Sequence, residues 1–259
     1  MLSRGGSLLP PRYADVRPPD DIIAFLKAAA ANRTVVVAVT PGAILTPWRD
    51  SVAAIVVAFM PGQQYGHAIA DVLLGRTAPA GKLPVTFPAE ENQVGFTNLS
   101  WGGNRPSNHR AAHGVSSNHS ERLEIGYRWY DAHNSTPAFP FGHGLPGYST
   151  FAYADLVATA TSVRFTLENT GALAAAETPQ LYLSFPSSAG EPPWQLKGFE
   201  KTALAGGGKA TVVFPLTVRD LSIWSVHEHA WTSVRGAFEV AVGSSSRDHR
   251  LVGSITVNG

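Results

Sequence analysis

The sequence predicts an α/β part followed by an all-β part, because the hydrophobic pattern changes once along the chain. Up to about residue 138, helical stripes and short apolar runs alternate, which is typical of parallel strands covered by helices. From about residue 152, apolar residues recur at every second position, which indicates an antiparallel β-sandwich. Between them, residues 139–151 are rich in aromatic residues, glycine and proline, and predict a rigid joint.

Length and composition limit the possible functions. A chain of 259 residues with 44% hydrophobic residues can bury two ordinary cores. The net charge of +1, the low charged fraction of 15% and the lack of a basic block predict no nucleic-acid partner and no membrane partner. Cysteine is absent, which excludes disulfides, thiolate metal ligands and a cysteine nucleophile.

The first part, residues 1–138, begins with a predicted helix. Two prolines and two aspartates at residues 18–21 precede apolar residues at helical spacing, so we expect a helix to about Ala31. The unbroken apolar runs at 35–39 and 52–59 predict strands buried on both faces.

A second helix and an extended segment follow. A helical stripe at residues 68–73 ends at Gly75, and residues 82–88 are extended, with prolines that keep them out of a central ladder. These pieces supply few strands, so they predict a partial α/β layer with an open sheet edge.

A polar loop is predicted at residues 92–122, where asparagine, glycine, serine and histidine dominate. Trp101, beside two glycines, is a candidate for stacking on a sugar ring, and the alternative is an anchor for the loop. The spacing of His109, His113 and His119 matches no standard metal motif, so we predict no metal site. No phosphate loop or dinucleotide fingerprint is present, so no cofactor is predicted.

Four N-glycosylation sequons favour a secreted glycoprotein. Three of them fall in one loop-like region, and the acceptor residues are Asn32, Asn98, Asn118 and Asn134. Residues 1–7 contain no apolar signal-peptide core, and no apolar run reaches the length of a membrane span. We therefore expect that the natural N-terminus is missing.

The last part, residues 152–259, is predicted to be a sandwich of the immunoglobulin or fibronectin III type. Turn residues separate its alternating segments, whose apolar members are Val163, Phe165, Leu167, Leu181, Leu183, Phe185, Val212, Phe214, Leu216, Phe238, Val240, Val242, Leu251, Ile255 and Val257. His227 and His229 can share a metal if they lie on a strand, but a surface bend beside Trp231 is the favoured interpretation.

Several segments, in this order, resemble the C-terminal region of family 3 glycoside hydrolases, the β-glucosidase and β-xylosidase group. They cover the chain from about residue 21 to 257 and read GKLPVTFP (81–88), GYRWYD (126–131), FPFGHGL (139–145), NTG (169–171), QLY (180–182), LKGFEK (196–201), RDLSIW (219–224) and GSSSRD (243–248). One departure is the tail LPGY at 145–148, where the family usually has Leu-Ser-Tyr; the extra residues can shift the angle of the joint.

The resemblance implies a three-part enzyme with a TIM-like barrel, an α/β sandwich domain and a fibronectin-III-like domain. It also implies retaining hydrolysis by an aspartate on the barrel and a glutamate on the sandwich domain. This chain supplies no eight strand-helix units, and residues 4–10 resemble a degraded motif that follows the glutamate, which would place that glutamate just before Met1. No catalytic residue is therefore assigned, and solvated or structural roles are expected for Glu90, Glu91, Glu121 and Glu124.

Two hypotheses follow. In the first, the chain is the C-terminal portion of a secreted β-glucosidase-like hydrolase that acts on a carbohydrate substrate when complete. Its partner is then a barrel-bearing N-terminal chain of the same enzyme, or a homo-oligomer covers the open sheet edge. In the second, the chain is a stand-alone, non-catalytic module that binds carbohydrate or protein.

Overall fold

The computed structural model describes residues 20–28, 33–95 and 121–258. The chain forms two compact units, one made of residues 1–60 with 87–120 and the other of residues 61–86 with 121–259. The predicted domain boundaries at 138 and 152 stay a prediction. Within the described ranges, no helix combines the length and the apolar character that a membrane crossing requires.

The first unit contains helix α1 (Asp20–Ala28) and two strands, β1 (Val35–Ala38) and β2 (Ala54–Val57). The strands pair in parallel, with Val35 opposite Ala54 and Ala38 opposite Val57. Trp48, in the crossing between the strands, is buried against Ile23 and Leu26 of α1. The predicted helix is confirmed over Asp20–Ala28, and its predicted end near Ala31 lies outside the described residues. Both strands are confirmed, and β2 is shorter than the apolar run at 52–59.

The prediction that these strands are buried on both faces is wrong for this chain. Val35 is 48% exposed, and the remaining residues of β1 are half-buried. Val39, directly after the strand, is 54% exposed. Phe25 on α1 is 68% exposed. In the part of the unit that the structure describes, only two strands pair, so apolar side chains that would be covered in a larger sheet stay accessible.

The second unit contains two helices and the β-sandwich. Helix α2 (Tyr65–Leu73) confirms the second helical stripe, and α3 (Tyr127–Ala132) is a short helix that the hydrophobic pattern did not predict. The Tyr148 hydroxyl donates a hydrogen bond to the Val72 carbonyl at 2.7 Å, which ties α2 to the end of the predicted joint.

Two main sheets build the sandwich. One has the strand order β13-β12-β6-β7 and the other has the order β3-β4-β9, while β5-β8 and β10-β11 form separate two-stranded pairs. All neighbouring strands in these sheets are antiparallel. The strands are β3 (Phe151–Ala158), β4 (Ser162–Asn169), β5 (Ala175–Glu177), β6 (Gln180–Ser184), β7 (Gln195–Phe199), β8 (Thr202–Leu204), β9 (Lys209–Pro215), β10 (Ser222–Ser225), β11 (Ala230–Ser233), β12 (Gly236–Ser245) and β13 (Asp248–Val257).

The alternating residues form the sandwich core, as predicted. Side chains from β4, β6, β9 and β12 are buried together in one cluster, which includes Phe165, Leu181, Phe214 and Val240. Each fully buried leucine or phenylalanine contributes about 1.5–3 kcal/mol relative to exposure. This core therefore gives the second unit its own source of stability.

Candidate functional site

The aromatic, glycine-rich joint at residues 139–151 is held by backbone and side-chain contacts within the second unit. Leu83 bonds to it in both directions: its N–H donates to the His143 carbonyl and its carbonyl accepts from the Gly142 N–H, each at 2.8 Å. The predicted extended segment thus pairs with the joint instead of with a central sheet.

Gln180 fastens the joint to the sandwich. Its buried side-chain nitrogen donates to the Gly142 carbonyl at 3.0 Å and to the Ser244 carbonyl at 2.9 Å. Its side-chain oxygen accepts the Tyr182 hydroxyl at 2.5 Å. Because the Gln180 side chain is buried, the loss of one of these partners leaves a costly unsatisfied group on its amide.

A buried ion pair lies beside the joint. The Lys82 Nζ atom is 2.7 Å from the Glu177 Oε1 atom, and it also donates to the Gly144 carbonyl at 2.7 Å. The Glu177 side chain is only 1% exposed. Burial, and next the positive charge of Lys82, lower the pKa of the neighbouring His143, so its imidazole is neutral at neutral pH.

A second ion pair joins helix α3 to the turn between β12 and β13. The Arg247 Nε atom is 2.6 Å from the Asp131 Oδ1 atom, and Arg247 also donates to the Ser135 carbonyl at 3.0 Å. Burial raises the pKa of Asp131, and Arg247 opposes that rise. The Asp131 side chain thus has a structural role, as the partner of Arg247.

Aromatic packing completes the joint. The Tyr127 ring stacks on Phe141 with centroids 4.8 Å apart and meets Tyr182 edge-on at 6.0 Å. Its hydroxyl oxygen accepts the Leu196 N–H at 2.8 Å. Burial raises the pKa of Tyr127, so the hydroxyl stays protonated at neutral pH. Together these contacts make the joint a rigid scaffold. None of them involves a pair of free carboxylates.

The far end of the joint is held by Asp248 and Arg250. Arg250 donates to the Phe151 carbonyl at 2.9 Å and to the Asp248 carboxylate at 3.0 Å, and Ser244 donates to the same carboxylate. Partial burial raises the pKa of Asp248, but the hydrogen bonds from Arg250 and Ser244 outweigh it and hold the pKa below its ordinary value.

This lowered pKa predicts an acid-sensitive contribution to stability. A carboxyl group whose pKa is lower in the folded state stabilises the fold above the unfolded-state pKa, and this contribution is lost as pH falls through the folded-state pKa. We expect Asp248→Asn to be less stable than wild type at about pH 7, and the difference to shrink below about pH 4. Urea unfolding of both proteins at several pH values measures this difference in the free energy of unfolding. A difference that is equally large at about pH 3 would contradict the assignment.

The sequence-predicted site residues fall in different places. Trp101, Asn32, Asn98 and Asn118 lie outside the described residues, as do His109, His113 and His119. Asn134 is exposed directly after α3, with a φ of 48°. Among the predicted non-catalytic acids, Glu90 and Glu91 are exposed and Glu124 lies 3.6 Å from His133.

His227 and His229 lie in the turn between β10 and β11, which confirms the surface-bend interpretation. The His227 ring contacts Glu228 at 2.8 Å. In the described part of the chain, no group of three or more histidine and acidic residues is arranged to hold a metal ion.

Sequence reasoning missed the structural roles of Lys82, Glu177, Asp131 and Arg247. Three of them lie inside the family-like segments at 81–88, 126–131 and 243–248. The family-like segments could have singled out these residues, but they did not show that Lys82 pairs with Glu177 and Asp131 with Arg247.

Two family models match the chain one after the other. The model for the glycosyl hydrolase family 3 C-terminal domain matches residues 13–147, and the model for a fibronectin type III-like domain matches residues 177–246. With the observed order of an α/β fragment and a β-sandwich, these matches define a C-terminal region of a modular glycoside hydrolase. The chain belongs to the family 3 glycoside hydrolases.

Known relatives are similar along most of this chain. A probable β-glucosidase L of Aspergillus terreus is 38% identical in an alignment 262 positions long, gaps included, and the match covers 90% of this chain and 34% of that protein. A probable β-glucosidase D of Aspergillus niger is 35% identical in an alignment 253 positions long, gaps included, and the match covers 87% of this chain and 32% of that protein. The chain thus spans about one third of the length of these relatives.

Solved structures agree. A β-D-glucoside glucohydrolase from Trichoderma reesei superposes with a TM-score of 0.78 at 33% identity, covering 94% of this chain and 36% of that one. A family 3 β-glucosidase from Bifidobacterium adolescentis gives a TM-score of 0.82 at 31% identity, covering 93% and 36%. The predicted fold class, an α/β part followed by a fibronectin-III-like sandwich, is confirmed.

Proposed function

We propose that this chain is the scaffold-bearing C-terminal portion of a secreted, retaining β-glucosidase that releases terminal β-D-glucosyl residues during polysaccharide degradation. The observation that supports this proposal is that the chain matches about one third of the length of relatives that are named as β-glucosidases. The stand-alone binding module is not favoured, because these matches extend through both parts of the chain.

The exposed apolar surface of the first unit supports the need for a larger assembly. Phe25, Val35 and Val39 are each about half exposed or more, on a layer with only two paired strands in its described part. Such a surface is typical of one that another element covers. We propose that a barrel-bearing polypeptide covers it, and that a homo-oligomer is the alternative.

The chemistry of the buried acids supports a scaffold role. Retaining hydrolysis uses two carboxyl groups about 5 Å apart, one as nucleophile and one as acid/base. Glu177 and Asp131 are instead each held by a cation, at 2.7 Å and 2.6 Å. Each of these side chains is thus engaged in a contact that holds the joint.

An activity measurement tests the proposal. We expect the purified chain to release no nitrophenol from a chromogenic β-glucoside above the buffer rate, since the carboxylate pair is contributed by the rest of the enzyme. Near-ultraviolet circular dichroism serves as the control that the sandwich is folded. From its native source, the chain should co-purify with, or be joined to, a barrel-bearing polypeptide that does turn over the substrate. Hydrolysis by the isolated chain, or a folded monomer with no such companion, would contradict the proposal.

We also propose that the protein is secreted and carries an N-glycan at Asn134. The side chain is exposed at the end of α3, and the sequon reads Asn134-Ser135-Thr136. Asparagine tolerates the left-handed backbone at this position, where φ is 48°. An exposed acceptor in a turn is accessible to the glycosylation machinery.

Mass spectrometry of glycopeptides checks this assignment. We expect the peptide containing Asn134 to carry a glycan after expression in a glycosylating host, and Thr136→Ala to remove it while leaving the asparagine in place. Arg122→Ala, outside every sequon, is the matched control. An unmodified Asn134 in secreted wild-type protein would refute the site.

A further inference from the structure

The hairpin formed by β10 and β11 presents two half-exposed tryptophans. Trp224 is 49% exposed and Trp231 is 46% exposed, and they lie directly opposite each other in the strand register. Their rings meet edge to face, with centroids 5.7 Å apart. The hairpin belongs to neither of the two main sheets.

The sandwich core does not require these two rings. Side chains alternate across a strand, so Ile223 and Trp224 point to opposite faces of the hairpin. Ile223 packs against the core cluster. The tryptophans therefore occupy the outer face, where they add accessible aromatic surface.

The tryptophan surface is held rigidly although it is exposed. The Arg219 guanidinium lies 4.4 Å from the centroid of the Trp231 ring, and Arg219 belongs to a short 3-10 turn at Val218–Leu221. Thr217 and Asp220 cap that turn reciprocally, and the Ser222 hydroxyl donates to the Val218 carbonyl at 2.6 Å. Such fixed aromatic groups lose little conformational freedom when a ligand binds.

The tryptophan hairpin and the turn before it carry charges of both signs. Arg219 supplies one positive charge, while Asp220 and Glu228 supply two negative ones, and the Glu228 carboxylate contacts the His227 ring. These groups offer hydrogen-bond donors and acceptors, and the excess of negative charge among them disfavours a polyanion, which suits a neutral polar ligand better. An indole face beside such groups fits the apolar face and the hydroxyl rim of a pyranose.

We propose that Trp224 and Trp231 form a binding surface for neutral β-glucan chains. The surface would hold the enzyme near a polymer and would not itself take part in bond cleavage. The inference goes beyond the proposed function, because binding at this surface needs no hydrolysis.

Affinity electrophoresis of the full chain tests the proposal. The probes are native gels with and without mixed-linkage β-glucan or hydroxyethyl cellulose, and a heparin gel serves as the polyanion comparison. We expect the glucans to retard wild type, and Trp224→Ala and Trp231→Ala each to weaken binding about tenfold. Trp224→Phe, which keeps an aromatic face, should retain part of the binding, and Phe199→Ala, which removes another exposed ring of the sandwich, should leave it unchanged.

Folding and self-association are measured on the same samples. Thermal unfolding shows whether a variant has lost its fold. If the alanine variants do not fold, the binding of Trp224→Phe is the measurement that decides. No retardation of wild type, equal retardation of every variant, or binding to heparin alone would overturn the proposal. So would a dimer that the tryptophan changes dissociate without altering glucan binding. Because no hydrolysis is measured, these results stand apart from the chromogenic assay.

Discussion

Replacing Lys82 by methionine is expected to lower the free energy of unfolding of the second unit by about 3 kcal/mol, since this leaves a buried charge unpaired. Lys82 lies 2.7 Å from the Glu177 carboxylate, with the two side chains 10% and 1% exposed. The second carboxylate oxygen of Glu177 has no hydrogen-bond partner in the described structure, and the first is held by Lys82 and by the Thr178 N–H, which donates to it at 2.8 Å. The change also removes the hydrogen bond to the Gly144 carbonyl.

An exposed ion pair in the same sandwich provides the control. Lys209 lies 3.0 Å from Glu168, with side chains 61% and 32% exposed. Lys209→Met should cost about 0–1 kcal/mol, because solvent screens such pairs. Thermal unfolding of the full chain, followed by near-ultraviolet circular dichroism, should show a midpoint about 6–12 °C lower for Lys82→Met.

A double variant separates the loss of the pair from the exposure of a lone charge. Lys82→Met combined with Glu177→Met replaces both charges by apolar groups of similar length, so we expect most of the lost stability to return. Equal midpoints for Lys82→Met and Lys209→Met would show that the buried pair contributes no more than a surface pair.

The alternating pattern predicted the sandwich because its strands have one buried and one exposed face. On β4, Val163, Phe165 and Leu167 are buried and their neighbours Arg164 and Thr166 are less so, as a period of two requires. The three-residue strands β5 and β8 were not predicted. They are too short and too rich in alanine to show a period.

The polar contacts of the joint could not be predicted in the same way. Asp131 and Arg247 each lie in a recognisable segment, but no local pattern shows that residues so far apart in sequence meet at 2.6 Å. Glu177 follows two alanines in a strand whose three residues are all buried, and its contacts with Lys82 and the Thr178 N–H explain how a carboxylate can lie there.

The error at residues 35–39 has a different origin. An unbroken apolar run is typical of a strand in a sheet that is covered on both faces. In the described part of the first unit, β1 pairs with β2 alone, so the side chains remain accessible. Trp101 and the sequons at Asn32, Asn98 and Asn118 stay predictions.

A glycine in the joint should be as sensitive as the buried ion pair. Gly142 has a φ of 76°, and a Cβ atom placed there would lie within 2.8 Å of three atoms of the Gln180 side-chain amide. Gly142→Ala would displace a buried amide that makes three hydrogen bonds, to Gly142, Ser244 and Tyr182. We expect a loss of about 3–5 kcal/mol, of which about 1–2 kcal/mol comes from the backbone conformation.

Gly207 allows the backbone cost to be measured alone. Its φ is 72°, close to that of Gly142, but a Cβ atom there would meet nothing within 4 Å. Gly207→Ala should therefore cost about 1–2 kcal/mol in the same unfolding experiment. If the collision with Gln180 causes the excess at Gly142, then Gly142→Ala should cost less in a Gln180→Ala background, because the space is already open. A cost that is unchanged in that background would show that the collision with Gln180 does not cause the excess at Gly142.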